Sequence, residues 1–317
     1  MAPRQFMDAQ AAMAFMVNQA TYVESEVYRQ QYPDVIYPQL IPIDESAPEW
    51  TKSITFYSID HAGKAEWFHH NATDIRLADV QRTAYEQGVE MAAIGYRYTL
   101  EELGQAMMTG WNLTPERAGA AVRAAEQFVE GVALAGDGAK GWTGLINAAN
   151  VGVSTVAATG TGATTTWSTK TSDQIISDIN LAIAGIYSAT NTVEIPNTIL
   201  LPVEQFTLLA TKRLSDQSEI SILDWFSRYN VFTAQTGTSL TIRALRQLDQ
   251  AGTSPALSDR MVVYRRDPGV VKMHIPMRHR FLPVWQTGPI VFDVPGIMRL
   301  GGVEFRRPTA ARYWDGI

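Results

Sequence analysis

The feature that most constrains this chain is a long amphipathic stretch between Tyr98 and Asn147. Thr114 precedes Pro115, a good N-cap followed by a residue whose fixed φ suits the first helical position. Apolar residues then recur at Ala118, Ala121, Val122, Ala125, Phe128, Val129, Val132 and Ala133, one face of a 3.6-residue period. The spacing predicts a helix of roughly twenty residues, about 30 Å long, stopped by Gly136, Gly138, Gly141 and Gly144. Val122, Phe128, Val129 and Val132 are its expected core positions, while Arg117, Arg123, Glu126 and Glu130 fall mostly off the stripe. Such a rod draws its stability from tertiary packing, so a sheet or a second helix must lie against it.

The rest of the chain supplies that partner. At 317 residues, 46% hydrophobic and 18% charged, it is long and apolar enough for one large domain or two ordinary ones. A net charge of −6 excludes a basic nucleic-acid coat. The absence of cysteine excludes a disulfide framework, a thiolate nucleophile and a cysteine metal site. Asp8 interrupts the apolar N-terminal positions, so this is a poor signal peptide, and no run reaches the length of a membrane span. The expectation is a soluble protein made in a cytoplasm.

Taken in order, Phe6, Ala9, Ala12, Met13, Phe15 and Met16 predict a short amphipathic helix. It either packs on its own domain or lies on a neighbouring subunit. Pro33, Pro38, Pro42 and Pro48 then forbid a helix, so Val35 to Ile43 reads as an extended arm or an edge strand. Ser53–Ile59 reads as a strand, Asp60–Lys64 as a turn and Ala65–His70 as the returning strand of a hairpin with aromatic residues on both faces. Such a hairpin leaves apolar surface exposed in a monomer, which marks an interaction site.

Gln87–Tyr98 alternates as a strand. Past Asn147, a serine-, threonine- and glycine-rich stretch reads as a surface excursion, followed by a helix capped by Ser172 or Asp173. Strands over Asn197–Leu201, Ser239–Leu245 and Arg260–Tyr264, with helices near 204–214 and 220–229, give the middle region the alternation of an α/β or α+β domain. From Arg265 onward there are nine basic residues against four acidic ones, which suits either complementary contact between copies of the chain or a mixed solvated surface.

No catalytic constellation emerges. His69 and His70, with His61 and Asp74 nearby, invite a metal reading, but adjacent strand residues point to opposite faces and a zinc site needs three or four converging ligands. The glycine-rich Gly136–Gly141 follows a helix, whereas a phosphate loop precedes one. No cofactor, metal or catalytic residue is assigned.

The order of arm, aromatic hairpin, strand, long helix, glycine-rich turn, variable insertion and basic terminal strands resembles the major capsid proteins of tailed phages with the HK97-type fold. The likeness is carried by Tyr98-Thr99-Leu100-Glu101-Glu102-Leu103, Ala124-Ala125-Glu126, Gly136-Asp137, Gly141, Gly144-Leu145-Ile146-Asn147 and Arg299 to Pro308. The resemblance implies an α+β chain divided into an N-terminal arm (1–48), an extended loop or E-loop (49–80), a peripheral domain with a spine helix (81–147), an axial domain (148–270) and closing peripheral strands (271–317).

It further implies a non-enzymatic shell protein of the virion. Copies would assemble through hexamers and pentamers in the host bacterial cytoplasm and enclose double-stranded DNA without sequence-specific binding. Separate scaffolding, portal and decoration proteins would be its partners. Inter-subunit contact is expected from Phe56, Tyr57, Ile59, Lys64, Trp67 and Phe68 of the E-loop. Lys64 sits at the hairpin tip, yet no partner asparagine or catalytic acid is identifiable, so covalent crosslinking is not expected. The alternatives are a nanocompartment shell enclosing cargo proteins and a soluble α+β enzyme.

Overall fold

The computed structural model describes residues 34–65, 67, 77–102, 108, 113–215 and 217–317. The amphipathic helix predicted N-terminal to these, and His69, His70 and Phe68, lie outside the described residues.

The proline-spaced segment is not wholly extended. Tyr37–Leu40 (α1) closes one helical turn, because Pro38 falls in the first turn, where its missing N–H has no helical partner to lose. Ile43–Asp44 (β1) then forms the edge of a three-stranded sheet with Val271–His274 (β11) and Val303–Phe305 (β16). Tyr37, Leu40 and Ile41 are buried in the chain's own core, and the Tyr264 hydroxyl donates to the Leu40 carbonyl at 2.8 Å.

Ser53–Ala62 (β2) pairs antiparallel with Asp79–Ala93 (β3), and β3 continues into a four-stranded sheet of order β12-β15-β3-β2. Here β12 is Met277–Phe281 and β15 is Gly296–Gly301. The return strand is therefore not Ala65–His70 but a segment beginning at Asp79. Val80, Thr83, Tyr85 and Val89 supply the β-branched and aromatic residues it needs. Tyr96–Thr99 (β4) joins a smaller sheet with Trp285–Gly288 (β13) and Val291–Val294 (β14).

The long helix, α2, spans Leu113–Ala135, 23 residues. Ala121, Ala125, Val129, Val132, Ala133 and Leu134 are buried. Val122 and Phe128 are not core positions as expected: they are 37% and 46% exposed. They sit roughly 60° to either side of Ala125 around the helix, so they flank a stripe whose centre is made of alanines that let the sheet approach closely.

The glycine-rich turn acts as the helix's C-terminal cap. Gly136 takes φ of 77° to open the short ladder of Gly136–Asp137 (β5) and Trp142–Thr143 (β6). Leu145 N–H and Ile146 N–H donate to the Ala133 and Leu134 carbonyls at 2.9 and 3.1 Å, and Asn147 Nδ2 donates to the Ala135 carbonyl at 2.7 Å. A Cβ on Gly144 would overlap the Leu134 carbonyl, so the returning chain passes that close only as glycine.

A five-stranded sheet divides two cores. Its order is β7-β17-β10-β8-β9, with β7 at Gly152–Thr155, β8 at Thr198–Leu201, β9 at Thr241–Ala244, β10 at Arg260–Tyr264 and β17 at Ala311–Asp315. Strand alternation sends Leu200, Val262, Tyr264 and Tyr313 to the core shared with α2, and Ile199, Leu201, Met261 and Val263 to the other. The second core is closed by Ser172–Ala189 (α3), Val203–Thr211 (α4), Ile222–Arg228 (α5) and Val231–Thr236 (α6). The N-cap of α3 is Thr171 in a capping box with Gln174, one residue ahead of the expected cap.

The terminal strands do not complete a single sheet: β17 crosses into the five-stranded one. The serine- and threonine-rich stretch is also more than a surface excursion, since Trp167 is fully buried and Lys170 donates to Asp178 at 2.6 Å inside the second core.

The two kinds of α2 position differ in a testable way. Val129→Asp buries an unpaired charge and costs several kcal/mol, so it should abolish soluble folded protein. Phe128→Asp should leave the circular dichroism spectrum and cooperative melting of the single subunit intact.

Candidate assembly surface

The described surface offers no catalytic geometry. No group of three or more histidine, cysteine, aspartate or glutamate residues able to hold a metal occurs among the described residues, and none of their helices is long and apolar enough to cross a membrane. What stands out instead is the β2–β3 ribbon. Its register runs from Ser53↔Gly88 to Ala62↔Asp79, while β15 pairs with β3 only from Val89 to Ala93. From Asp79 to Gly88, β3 thus has β2 as its one strand partner among the described residues. Ten residues at about 3.3 Å each give a ribbon roughly 33 Å long.

The ribbon's two faces differ. On one, Phe56 stacks on Tyr85 with ring centroids 5.0 Å apart, and the Arg306 guanidinium sits 4.8 Å from the Phe56 centroid, which ties Phe56 back to the chain's own body while Tyr85 stays 51% exposed. On the other, Tyr57, Ile59 and Val80 are 53%, 57% and 56% exposed. Arg82 covers part of it, 3.5 Å over the Tyr57 ring.

The expected contact residues therefore separate. Tyr57 and Ile59 share the open face, Phe56 belongs to the tethered face, and Lys64 and Trp67 follow β2 toward the tip, with Trp67 98% exposed. Phe68 lies outside the described residues. Val80, Arg82 and Tyr85 were missed because the return strand was placed too early. An apolar cluster at Val284, Trp285 and Ile290, around the β13–β14 turn, is also exposed. Its signal in the sequence was a tryptophan between two proline-bearing turns.

Charge does not dominate this surface. All nine basic residues from Arg265 onward have partners within the chain. Lys272 donates to Asp44 at 2.8 Å, Arg278 to Glu45 at 2.6 Å and Arg280 to Glu49 at 3.0 Å, clasping the 44–49 segment. Arg266 and Arg299 donate to the Pro38 and Thr51 carbonyls at 3.1 and 2.8 Å. Arg265 and Arg307 share the buried Glu194, Arg306 stands 3.5 Å from Glu304, and Arg312 donates to Ser154 at 2.8 Å. The Lys272 ammonium, helped by the Ser46 hydroxyl, holds the Asp44 carboxyl well below its ordinary value of 3.8.

A two-stranded E-loop, a long spine helix and a mixed sheet between two cores define a class: the HK97-type fold of shell-forming capsid proteins. Solved structures agree. The capsid of Myoviridae phage XM1 matches with a TM-score of 0.78 and 16% identity, covering 99% of this chain and 100% of that one. A structure from Mycobacterium phage Ogopogo matches at 0.62 with 11% identity over 95% and 98% of the two chains, and the capsid of an empty GTA particle at 0.63 with 11% identity over 97% of each. A comparison with curated proteins found no match. The major capsid protein family model matches residues 63–317, and the chain belongs to that family. It is a structural shell protein of a virion that assembles as an oligomer, and not an enzyme.

The acidic clasp has a definite pH dependence. Because folding favours ionised Asp44, its contribution is complete above the ordinary carboxylate value and is lost only as pH falls well below it. Asp44→Asn should lower stability by about 1–3 kcal/mol at neutral pH. In urea titrations across the acid range, the gap from the parent protein should narrow as pH falls.

Proposed function

We propose that copies of this chain form hexamers and pentamers and close an icosahedral head around the double-stranded DNA of a tailed phage, each copy's β2–β3 ribbon lying across its neighbour. The observation that carries this reading is the ribbon's open face. A two-stranded ribbon is marginal alone in water, and Tyr57, Ile59 and Val80 present apolar surface to solvent in the single chain. The exposed flanks of α2, with clefts of about 150 Å3 beside Val122 and about 240 Å3 beside Phe128, are the matching receiver on a second copy.

In this reading residues 1–48 are the arm and 49–80 the E-loop, whose ribbon extends to Gly88. Residues 81–147 and 271–317 form the peripheral domain and 148–270 the axial domain, with β17 crossing into the axial sheet. Assembly takes place in the host bacterial cytoplasm, with scaffolding, portal and decoration proteins supplied separately. Because the basic residues of the terminal strands are engaged internally, the shell confines DNA without gripping its phosphates.

The test is a double substitution on the open face, Ile59→Asp with Val80→Asp. The variant should melt as a folded subunit yet sediment as free subunits or small rings where the parent gives closed shells by electron microscopy. Normal shells from this variant would remove the ribbon from assembly, and parent particles filled with cargo protein in place of DNA would overturn the phage-head reading.

A further inference from the structure

The two exposed flanks of α2 differ chemically. Apart from Phe128 itself, the cleft on one side is lined by Ile94, Met298 and alanines, with no charged group. The cleft on the other side carries Glu126, one helical turn beyond Val122. Glu126 is exposed and makes no ion pair among the described residues. Its charge is felt within the cleft, at the Tyr37 hydroxyl: burial pushes that group up, Arg278 opposes the rise and Glu126 adds to it. The charged neighbours are already engaged. Arg278 donates to Glu45 at 2.6 Å, and Glu130 accepts from the Ile36 N–H at 3.2 Å.

The open face of the ribbon has the opposite charge. Strand alternation and register put Tyr57, Ile59, His61, Val80, Arg82 and Ala84 on it, so this stretch holds one arginine and no carboxylate. Arg82 is exposed and makes no ion pair among the described residues; its guanidinium lies over the Tyr57 ring. A planar guanidinium stacked in this way still offers its edge to a carboxylate. Ile59 and Arg82 stand directly across the ladder from each other, with Cβ atoms about 5 Å apart. Val122 and Glu126, four apart on a helix, have Cβ atoms about 5–6 Å apart. The ribbon thus carries an apolar residue beside a cation at the spacing at which the helix carries an apolar residue beside an anion.

We propose that the ribbon of a second copy seats on the Val122 flank of α2 and not on the Phe128 flank, with Ile59 entering the cleft and Arg82 pairing with Glu126. The cleft measures about 150 Å3, the size of an apolar cavity that holds one benzene-sized group, and so takes a single aliphatic side chain. The Phe128 flank lacks the matching acid: the residues three and four positions from Phe128 are Ala124, Ala125, Gly131 and Val132. Apolar burial supplies the affinity, and the ion pair selects the flank and fixes the register. This inference rests on the proposed assembly and adds which side of the helix is used, and why.

Charge reversal and crosslinking of the full chain test it, under conditions in which the parent closes shells. Glu126→Arg and Arg82→Glu, both at exposed positions, should each leave the subunit folded and cut the yield of closed shells about tenfold at low salt, because like charges then meet in every copy. The two together should restore the parent's yield. The chain has no cysteine, so introduced thiols report position without interference. In shells treated with a short thiol crosslinker, Ile59→Cys with Val122→Cys should link chains to one another on denaturing gels, and Ile59→Cys with Phe128→Cys should not. Normal shells from Glu126→Arg, or no recovery in the combined variant, would overturn the pairing. Linkage through Phe128→Cys alone would overturn the inference and leave the ribbon assembly standing. Shells that link at neither position would take the ribbon off α2 and overturn the proposed assembly with it.

Discussion

The capped end of α2 is the interaction on which the rest of this structure depends. Its last carbonyls are taken by Leu145, Ile146 and Asn147, so the helix cannot end without the returning chain. The same turn is then held from the central sheet. The Tyr313 hydroxyl donates to the Leu145 carbonyl at 2.7 Å and accepts from Ala148 N–H at 3.0 Å, and Arg260 donates to the Ile146 carbonyl at 2.9 Å. Arg260 is itself fixed by paired bonds to the fully buried Asp315, at 2.7 and 2.9 Å. Helix, turn, β10 and β17 are thereby one hydrogen-bonded unit, and the two cores meet across it.

Charge and apolar surface are divided between two tasks. The basic residues of the terminal strands bind the 38–51 segment and Glu194 within the same chain. In the proposed assembly, copies meet through exposed apolar side chains on the ribbon and on the flanks of α2, each contact weak by itself. In a closed shell every copy makes the same contacts, and many weak identical contacts sum to a stable particle.

The helix, its glycine cap and the buried strand Arg260–Tyr264 were legible because each announces itself locally, by a 3.6-residue period, a run of glycines, or a short apolar run. Asp315 and Arg260, which tie the fold together, were invisible, since 55 residues separate them and neither has a local signature. Val122 and Phe128 were misread because periodicity marks the apolar side of a helix but not how wide the buried stripe is. The ribbon was placed correctly at β2 and wrongly at its return, because the aromatic run after Gly63 outweighed the weaker alternation of Asp79–Ala93. The charge asymmetry was real, but sequence does not tell whether opposite charges meet within one copy or between two.

A density map of assembled particles, fine enough to trace β2 and β3, bears on the central claim most directly. The account predicts that the face carrying Tyr57, Ile59 and Val80 is covered by a second copy, against the flank of α2 that bears Val122 or Phe128. A closed shell in which that face still meets solvent, with the copies joined elsewhere, would contradict it.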